Sequence, residues 1–408
     1  MEEDIHINED RLWQSIMAMA KIGATAKGGC ARLTLTDLDK EGRDLFVHWC
    51  QEANCVIEID EIGNIFATRS GTADKNPVMC GSHLDTQPTG GKFDGVYGVL
   101  AGLEVIRTLN NHDIETKRPV QVVVWTNEEG SRFQPAMAGS GVLAGAFTLE
   151  DIYDCTDADG LRFEDELDRI GYKGSKTATP PNAKAYFEVH IEQGPVLEDA
   201  NETIGVVTHQ QGIRWYNVTV TGNESHAGTT PMDLRKDALM TAAKIALRVK
   251  TVAEENAPAG RGTVGKFECY PGSPNTIPGT VVFSIDLRHP SNDTLSAMEN
   301  QIRSFIESLN NECEVDVDGY WQYPAREFDA NCIETVQAAV QHLGYSFRKM
   351  ITGAGHDASY MAYVIPTSMI FIPCEGGISH NEMEHASKEH CAAGCNVLLN
   401  TLLSAANT

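Results

Sequence analysis

The sequence predicts an α/β protein of two domains, with the second domain inserted into the first. Apolar strand-like runs alternate with helical segments early in the chain, which is typical of a strand–helix–strand sheet. Between residues 213 and 324 the pattern changes, and after residue 325 a helix and an apolar strand of the earlier kind return. We therefore assign residues 1–212 and 325–408 to one discontinuous domain and residues 213–324 to the inserted one.

The first domain begins with strands whose ends carry polar residues. The stretch VIEIDEIGNIFATR (56–69) predicts a hairpin, and PVMCGSH (77–83) predicts a short buried strand that ends at His83. The next stretch, 95–110, has helical spacing of its apolar residues, and PVQVVVWTNEEGS (119–131) predicts a strand that ends in two glutamates. Ligands of such sheets bind beyond the carboxyl ends of the strands, so we expect the functional site there.

The inserted domain has the pattern of a compact α+β unit. It has four predicted strands, WYNVTVTG, GTVGKFECYPG, GTVVFSIDLRHP and CEVDVDGYWQY, and two predicted helices, residues 233–255 and LSAMENQIRSFIESLNNE. Four strands and two helices suit one sheet covered by helices. The chain then returns to the first domain with the helix CIETVQAAVQHLGY and the strand PTSMIFIP.

Composition excludes several function classes. The 57 acidic and 32 basic residues give a net charge of −25, which repels phosphate backbones, so we expect no nucleic-acid partner. No apolar run is long enough to span a membrane, and the acidic N-terminal stretch MEEDIHINEDRLWQS lacks the apolar segment of a secretory signal. The 11 cysteines are scattered without a CxxC pair, which favours a reducing compartment. We expect a cytoplasmic protein.

Histidines and carboxylates follow the predicted strands or lie in glycine-rich turns. They are His83 and Asp94 in GSHLDTQPTGGKFDG, Glu128 and Glu129 in WTNEEGS, His190 in YFEVHIEQGP, and His380 in GGISHNEMEH. Taken singly, a histidine is more often a hydrogen-bonded structural residue, and paired glutamates are usually solvated. Their shared position beyond apolar strands favours a metal site instead. If the strand before Glu128 stays extended, Glu128 and Glu129 face opposite sides and can serve different purposes.

These stretches together resemble the M20 di-metal amidohydrolases and peptidases, and within them the N-carbamoyl-amino-acid hydrolases. The resemblance spans nearly the whole chain, through GSHLDTQPTGGKFDG, WTNEEGSRF, HIEQGPVLE, ESHAGTTPM, PNTIPG, DLRHP, GAGHDA and GGISHNE. It implies a di-metal aminopeptidase-like catalytic domain with an inserted dimerisation and lid domain. Two divalent metal ions per subunit are implied, and His and carboxylate ligands suit zinc, manganese, cobalt or nickel.

The resemblance also implies a role for each site residue. Asp94 would bridge the metals, His83 and His190 would complete one, and Glu129 and His380 the other. Asp85 would hold the His83 ring, and Glu128 would be the general base, although a simple ion pair is the alternative for Glu128. In a homodimer, His226 would enter a neighbouring active site and donate to the substrate carbonyl.

The substrate would be a small ureido compound that bears a carboxylate. Arg288 and Asn275 would bind the carboxylate, and Gln193 and His356 the ureido group; a structural ion pair with Asp286 or Glu268 is the alternative for Arg288. The first hypothesis is hydrolysis of an N-carbamoyl-L-amino acid or N-carbamoyl-β-alanine to amino acid, CO2 and ammonia. The second is allantoate hydrolysis, and the third is a di-zinc aminopeptidase or aminoacylase. A non-enzymatic binding module would have lost metal ligands. It ranks last, because all five ligand positions and the base are present in this sequence.

Overall fold

The computed structural model describes residues 5–309 and 312–408. The chain divides into two compact units, one of residues up to Thr208 with Phe328–Thr408, and one of His209–Glu327. The boundaries expected from the sequence fall within a few residues of these. No helix of the described residues is both long and apolar enough to cross a membrane.

The helices, in chain order, are α1 (Glu9–Met19), α2 (Asp37–Glu52), α3 (Val96–Asn111), α4 (Ala138–Leu143), α5 (Leu149–Tyr153), α6 (Phe163–Ile170), α7 (Val196–Ala200), α8 (Ala238–Glu255), α9 (Asn292–Ser308), α10 (Ala330–His342), α11 (Asp357–Met361) and α12 (Lys388–Ala406). The strands are β1 (Val56–Ile59), β2 (Ile65–Arg69), β3 (Val78–His83), β4 (Val120–Trp125), β5 (Ala185–Ile191), β6 (Ile204–Gln210), β7 (Gly212–Thr221), β8 (Ser225–His226), β9 (Arg261–Thr263), β10 (Phe267–Tyr270), β11 (Thr276–Ile277), β12 (Thr280–His289), β13 (Glu314–Tyr323), β14 (Arg326–Glu327), β15 (Phe347–Thr352) and β16 (Thr367–Ile372). Short 3-10 turns lie at Met232–Leu234 and Glu375–Gly377.

The first unit is built on a mixed sheet with strand order β1-β2-β4-β3-β5-β16-β6, and β15 also pairs with β6. The four central strands β4, β3, β5 and β16 are parallel, and their flanking partners are antiparallel. Every residue of these four strands is buried, as expected where helices cover both faces of a parallel sheet. Their carboxyl ends lie at one edge, which confirms the predicted α/β architecture.

One predicted strand is shorter than expected. The run 119–131 forms a strand only as far as Trp125, because Asn127 has a left-handed backbone with φ 58°. The Asn127 side-chain amide donates to the carbonyls of Phe133 and Pro135 at 2.9 and 3.1 Å, which stabilises a turn in place of extended strand. The argument from alternating strand faces for Glu128 and Glu129 is therefore wrong, and a turn directs the two side chains.

The second unit contains an antiparallel sheet of order β10-β12-β7-β13, with α8 and α9 packed against it. The run predicted as one strand, GTVGKFECYPG, forms β9 and β10, which pair with opposite ends of β12. The sheet therefore has five strands among the described residues instead of the four expected. A separate two-stranded ribbon joins β8 to β11, and α8 begins at Ala238 after its N-cap Asp237.

Candidate metal centre

The loop after β3 brings Asp94 against the side chain of His83. Asp94 Oδ1 lies 3.5 Å from Nε2 of His83, and both side chains are buried. The next residue, Gly95, has φ 66°, and a Cβ added there would overlap the His83 ring. Only glycine allows this close approach, so the sequence FDG at residues 93–95 builds one wall of the site.

The two carboxylate oxygens of Asp94 face different histidines. Oδ1 lies 3.1 Å from His190 Nε2 and 3.5 Å from His83 Nε2, whereas Oδ2 lies 3.3 Å from His380 Nε2. Each oxygen therefore belongs to a separate cluster of possible metal ligands. One cluster is His83, Asp94 and His190, and the other is Asp94, Glu129 and His380.

Glu129 completes the second cluster from the turn after β4. Its Oε2 lies 3.3 Å from His380 Nε2 and accepts a 2.7 Å hydrogen bond from the Gln87 amide. The neighbouring Glu128 turns toward the first cluster, where its Oε2 lies 3.5 Å from His83 Nε2. The side chains of the two adjacent glutamates thus face different clusters.

Backbone carbonyls orient the two buried histidines. Nδ1 of His83 lies 2.9 Å from the carbonyl oxygen of Asp85, and Nδ1 of His190 lies 2.9 Å from that of Ile191. A proton on Nδ1 leaves the Nε2 lone pair free for a metal. The Asp85 carboxylate, in contrast, is 3.8 Å from His83 Nδ1 and accepts from the backbone N–H groups of Glu128 and Glu129 at 3.3 and 3.2 Å. Asp85 therefore holds the His83 ring through its main chain.

The charge balance of these clusters suits divalent cations. Burial, with repulsion from Asp94, raises the pKa of Glu129 to about 7, and burial also raises the pKa of Glu128 well above its usual range. Several carboxylates held together out of water are unfavourable unless a positive charge offsets them. Imidazole nitrogens and carboxylate oxygens are also the usual ligands of zinc and related transition metals, so the residues present fit divalent metal ions.

A model of the family described as "Peptidase family M20/M25/M40" matches residues 79–404. The chain belongs to this family. It is 50% identical over 409 residues to an N-carbamoyl-L-amino-acid amidohydrolase of Rhizobium meliloti, covering 99% of this chain and 98% of that protein. It is 33% identical to an allantoate amidohydrolase of Bacillus subtilis, covering 94% of each chain. A solved hydantoinase/carbamoylase family amidase of Burkholderia multivorans superposes with a TM-score of 0.95, at 51% identity and over 99% of each chain.

Other residues of this M20 chain surround the Asp94 carboxylate, and sequence reasoning missed most of them. The amide of Gln193 donates to Asp94 Oδ2 at 2.8 Å, and the Ser379 hydroxyl lies 3.0 Å from the same oxygen. Glu384 accepts from the backbone N–H groups of Phe93 and Asp94 at 2.9 and 3.0 Å. Ser379 and Glu384 lie within GGISHNEMEH, so their proximity to His380 in the sequence is the feature that could have identified them.

His356 lies beside the first cluster. It directly precedes α11, is buried, and its ring centroid is 4.6 Å from that of His190. Burial lowers the pKa of His356 well below its usual range, so the ring is neutral. Its Nε2 and the Oε1 of Gln193 are buried without a hydrogen-bond partner in the described part of the chain. The structure therefore brings both predicted ureido contacts to the metal-ligand clusters.

The remaining predicted residues belong to the second unit. His226 in β8 pairs with Thr276 of β11, which directly follows Asn275, and His226 Nδ1 accepts from the backbone N–H of Gly228 at 3.0 Å. Arg288 forms a bidentate ion pair with Asp286, in which the Nε–Oδ1 distance is 3.0 Å and the Nη2–Oδ2 distance is 2.7 Å. The ion pair that was the alternative for Arg288 is therefore present. Substrate contacts of His226, Asn275 and Arg288 stay predictions.

Proposed function

We propose that this protein hydrolyses N-carbamoyl-L-amino acids to the free amino acid, CO2 and ammonia. The observation that carries the proposal is Asp94, whose two oxygens face two separate His and carboxylate clusters with Glu128 beside one of them. The full-length relative at 50% identity is named for this activity. The chemistry fits as well, because a ureido carbon is a weak electrophile and its hydrolysis needs an activated water.

The clusters would hold two divalent metal ions, one at His83, Asp94 and His190 and the other at Asp94, Glu129 and His380. When bound, such ions lower the pKa of water and stabilise negative charge on a carbonyl oxygen. Glu128 would take the proton of the attacking water and deliver it to the leaving nitrogen. Its carboxylate suits this step because its Oε2 lies beside the first cluster, 3.5 Å from His83 Nε2.

Two atoms near the clusters, which have no hydrogen-bond partner among the described residues, complement a ureido group. A terminal ureido NH2 donates hydrogen bonds, and the buried Oε1 of Gln193 accepts one; the ureido carbonyl accepts, and Nε2 of a neutral His356 can donate. A site with two unpaired buried polar atoms gains most from a substrate that pairs both. A peptide offers no NH2 group on the reacting carbon, so this pairing favours a carbamoyl substrate over a dipeptide.

Recognition of the carboxylate is assigned to the second unit. Arg288 would share its planar guanidinium between Asp286 and the substrate, with Asn275 beside it. His226 would donate to the substrate carbonyl, which suits its hydrogen bonding because Nδ1 accepts from Gly228 and the neutral ring then carries its proton on Nε2. The ribbon of β8 and β11 places His226 next to Asn275 in space.

The second unit would also form a homodimer and act as a lid, with His226 working in the site of the partner. Six large apolar side chains of this unit are exposed, and an interface would remove their surface from water. They are Met232, Leu234, Met240, Leu247, Phe267 and Tyr270. A twofold interface between copies of this unit would cover such side chains.

Allantoate hydrolysis is the second candidate, since the Bacillus subtilis relative is named for it and allantoate also carries ureido groups and a carboxylate. A substrate panel separates the candidates: N-carbamoyl-L- and D-amino acids, N-carbamoyl-β-alanine, allantoate and a dipeptide, each assayed with Zn²⁺, Mn²⁺, Co²⁺ or Ni²⁺ for ammonia or amine release. We expect the highest kcat/KM on an N-carbamoyl-L-amino acid. A higher value on allantoate or the dipeptide under every metal would refute the proposal.

A further inference from the structure

The turn that carries Glu128 is held by the beginning of α4. Three successive backbone N–H groups at the start of α4 donate to three successive carbonyls of the turn. The bonds run from Met137 to Glu128, from Ala138 to Asn127 and from Gly139 to Thr126, at 2.7, 3.1 and 2.9 Å. The position of the Glu128 main chain therefore follows the position of this short helix.

Close packing at Gly139 leaves α4 little freedom to move alone. A Cβ at residue 139 would overlap Asn64 Oδ1 and would lie 2.7 Å from the Thr126 backbone nitrogen. The next residue, Ser140, is fully buried, and its hydroxyl donates a hydrogen bond to Asp357 Oδ1. This bond joins residues 217 positions apart in the sequence, so no local structure can replace it.

Asp357 is the first residue of α11 and directly follows His356. The next backbone N–H, that of Ala358, donates to Glu188 Oε2 at 2.9 Å, and Glu188 precedes His190 by two residues on β5. Glu188 also accepts from the hydroxyls of Ser82 and Tyr186, at 2.7 and 3.1 Å. One end of α11 is thus tied to β5, and Asp357 ties the same end to α4.

We propose that the Ser140–Asp357 hydrogen bond is a positioning link that sets the Glu128 carboxylate relative to His356 and His190. This inference rests on the proposed function, because it takes Glu128 as the base and His356 as a substrate contact. Ser140 and Asp357 act through other residues, so they are positioning residues. Loss of the link would let the base and the substrate contact drift apart, and a misplacement of about 1 Å costs up to a hundredfold in rate.

The test uses the full-length, metal-loaded protein and four variants. Ser140→Ala and Asp357→Ala each break the link, and we expect kcat to fall by about ten- to a hundredfold with KM within threefold and metal content unchanged. The double variant should be no slower than the slower single one, because both changes remove the same interaction. Asp357→Asn keeps an acceptor for the Ser140 hydroxyl, so it should stay within threefold of the unmodified protein.

The matched control is Ser15→Ala, which removes another buried serine hydroxyl, the acceptor of a 3.0 Å hydrogen bond from Arg107, away from the metal ligands. It should leave kcat unchanged. Additive losses in the double variant, loss of metal from Ser140→Ala, or a tenfold loss of kcat in Asp357→Asn would each overturn the proposal. If the alanine variants do not fold, Asp357→Asn alone tests the proposal. An active Asp357→Asn variant supports the hydrogen-bond link, whereas an inactive one indicates that the carboxylate charge is required and overturns it.

A second measurement separates this inference from the proposed function. Amide hydrogen exchange requires no substrate, and the link predicts faster exchange at Met137, Ala138 and Gly139 in Ser140→Ala than in Ser15→Ala. Unchanged exchange would overturn the link even if the protein is a carbamoylase. Faster exchange in a protein that cleaves no carbamoyl compound would retain the link and reject the proposed function.

Discussion

Replacement of each adjacent glutamate by glutamine tests the proposal that Glu128 is a base and Glu129 a metal ligand. Glu128 and Glu129 follow one another in the turn after β4, yet Oε2 of Glu128 lies 3.5 Å from His83 and Oε2 of Glu129 lies 3.3 Å from His380. Glutamine has nearly the same shape as glutamate but lacks a charge and cannot accept a proton. The two isosteric changes therefore remove different chemistry from the same turn.

We expect Glu128→Gln to lower kcat by about 10²- to 10⁴-fold, equivalent to about 3–5 kcal/mol, with both metals retained. Glu129→Gln should instead weaken the second metal. Its cluster offers three donor residues, so a metal binding energy of about 10 kcal/mol shared among them makes the Glu129 share roughly 3 kcal/mol, or about two decades in affinity. In the Glu129→Gln variant the Gln87 amide can still donate to the side-chain oxygen at position 129, so the turn should keep its structure.

The assay measures metal content by mass spectrometry after dialysis, metal affinity by calorimetry, and kcat at saturating metal. Glu104→Gln is the matched control. Glu104 lies on α3 and is also a buried glutamate, but it pairs with Arg11 at 2.7 Å. It should keep both metals and full kcat. Loss of metal from the Glu128 variant with full retention in the Glu129 variant would reverse the assignment and refute the reasoning from the turn.

Four further predictions concern the metals, the second unit and a buried carboxyl group. Chelation should abolish activity and a divalent transition metal should restore it; full activity in protein shown to be metal-free by elemental analysis would contradict this. Mixing His226→Ala chains with Glu128→Gln chains should restore activity, since each mixed dimer contains one intact site; no recovery despite demonstrated subunit exchange would exclude action across the dimer. Arg288→Lys should lower kcat/KM by roughly ten- to a thousandfold on every carboxylate-bearing substrate, because lysine lacks the planar fork, and a kinetically silent variant would make Arg288 structural. Burial raises the pKa of Asp60 to about 7, so its contribution to the free energy of unfolding is full below about pH 4 and is lost as the pH rises to 7. Asp60→Asn should remove this pH dependence, which amounts to up to about 4 kcal/mol in urea unfolding. An unchanged pH dependence in the variant would refute the prediction.

The convergence of the candidate metal ligands could be predicted because parallel strands end at one edge of a sheet. His83 and His190 lie at the ends of β3 and β5, and the glutamates and His380 follow β4 and β16. Strand ends that are far apart in sequence are therefore neighbours in space, and the side chains after them converge. Apolar runs located the strands, so the sequence pattern was enough to predict that these candidate ligands converge.

The supporting contacts could not be predicted, because they depend on distances that no periodicity encodes. Ser379 and Glu384 meet Asp94 only because the loop after β16 folds back across the loop after β3. The Ser140–Asp357 hydrogen bond joins two very short helices, α4 and α11, whose sequences carry too few turns for a helical pattern. The split of one predicted strand into β9 and β10 likewise follows from pairing with β12.

The separation of Glu128 from Glu129 shows how the turn itself arranges the candidate site. In an extended strand, neighbouring side chains point to opposite faces, and one of the two would point away from the edge where β3, β5 and β16 deliver their residues. The left-handed Asn127 ends the strand early, so both glutamates lie at that edge while their side chains diverge toward His83 and His380. The Asp85 carboxylate fixes this arrangement by accepting from both of their N–H groups. The proposed base and the proposed ligand therefore face one pair of clusters from consecutive positions, because the backbone bends just before them.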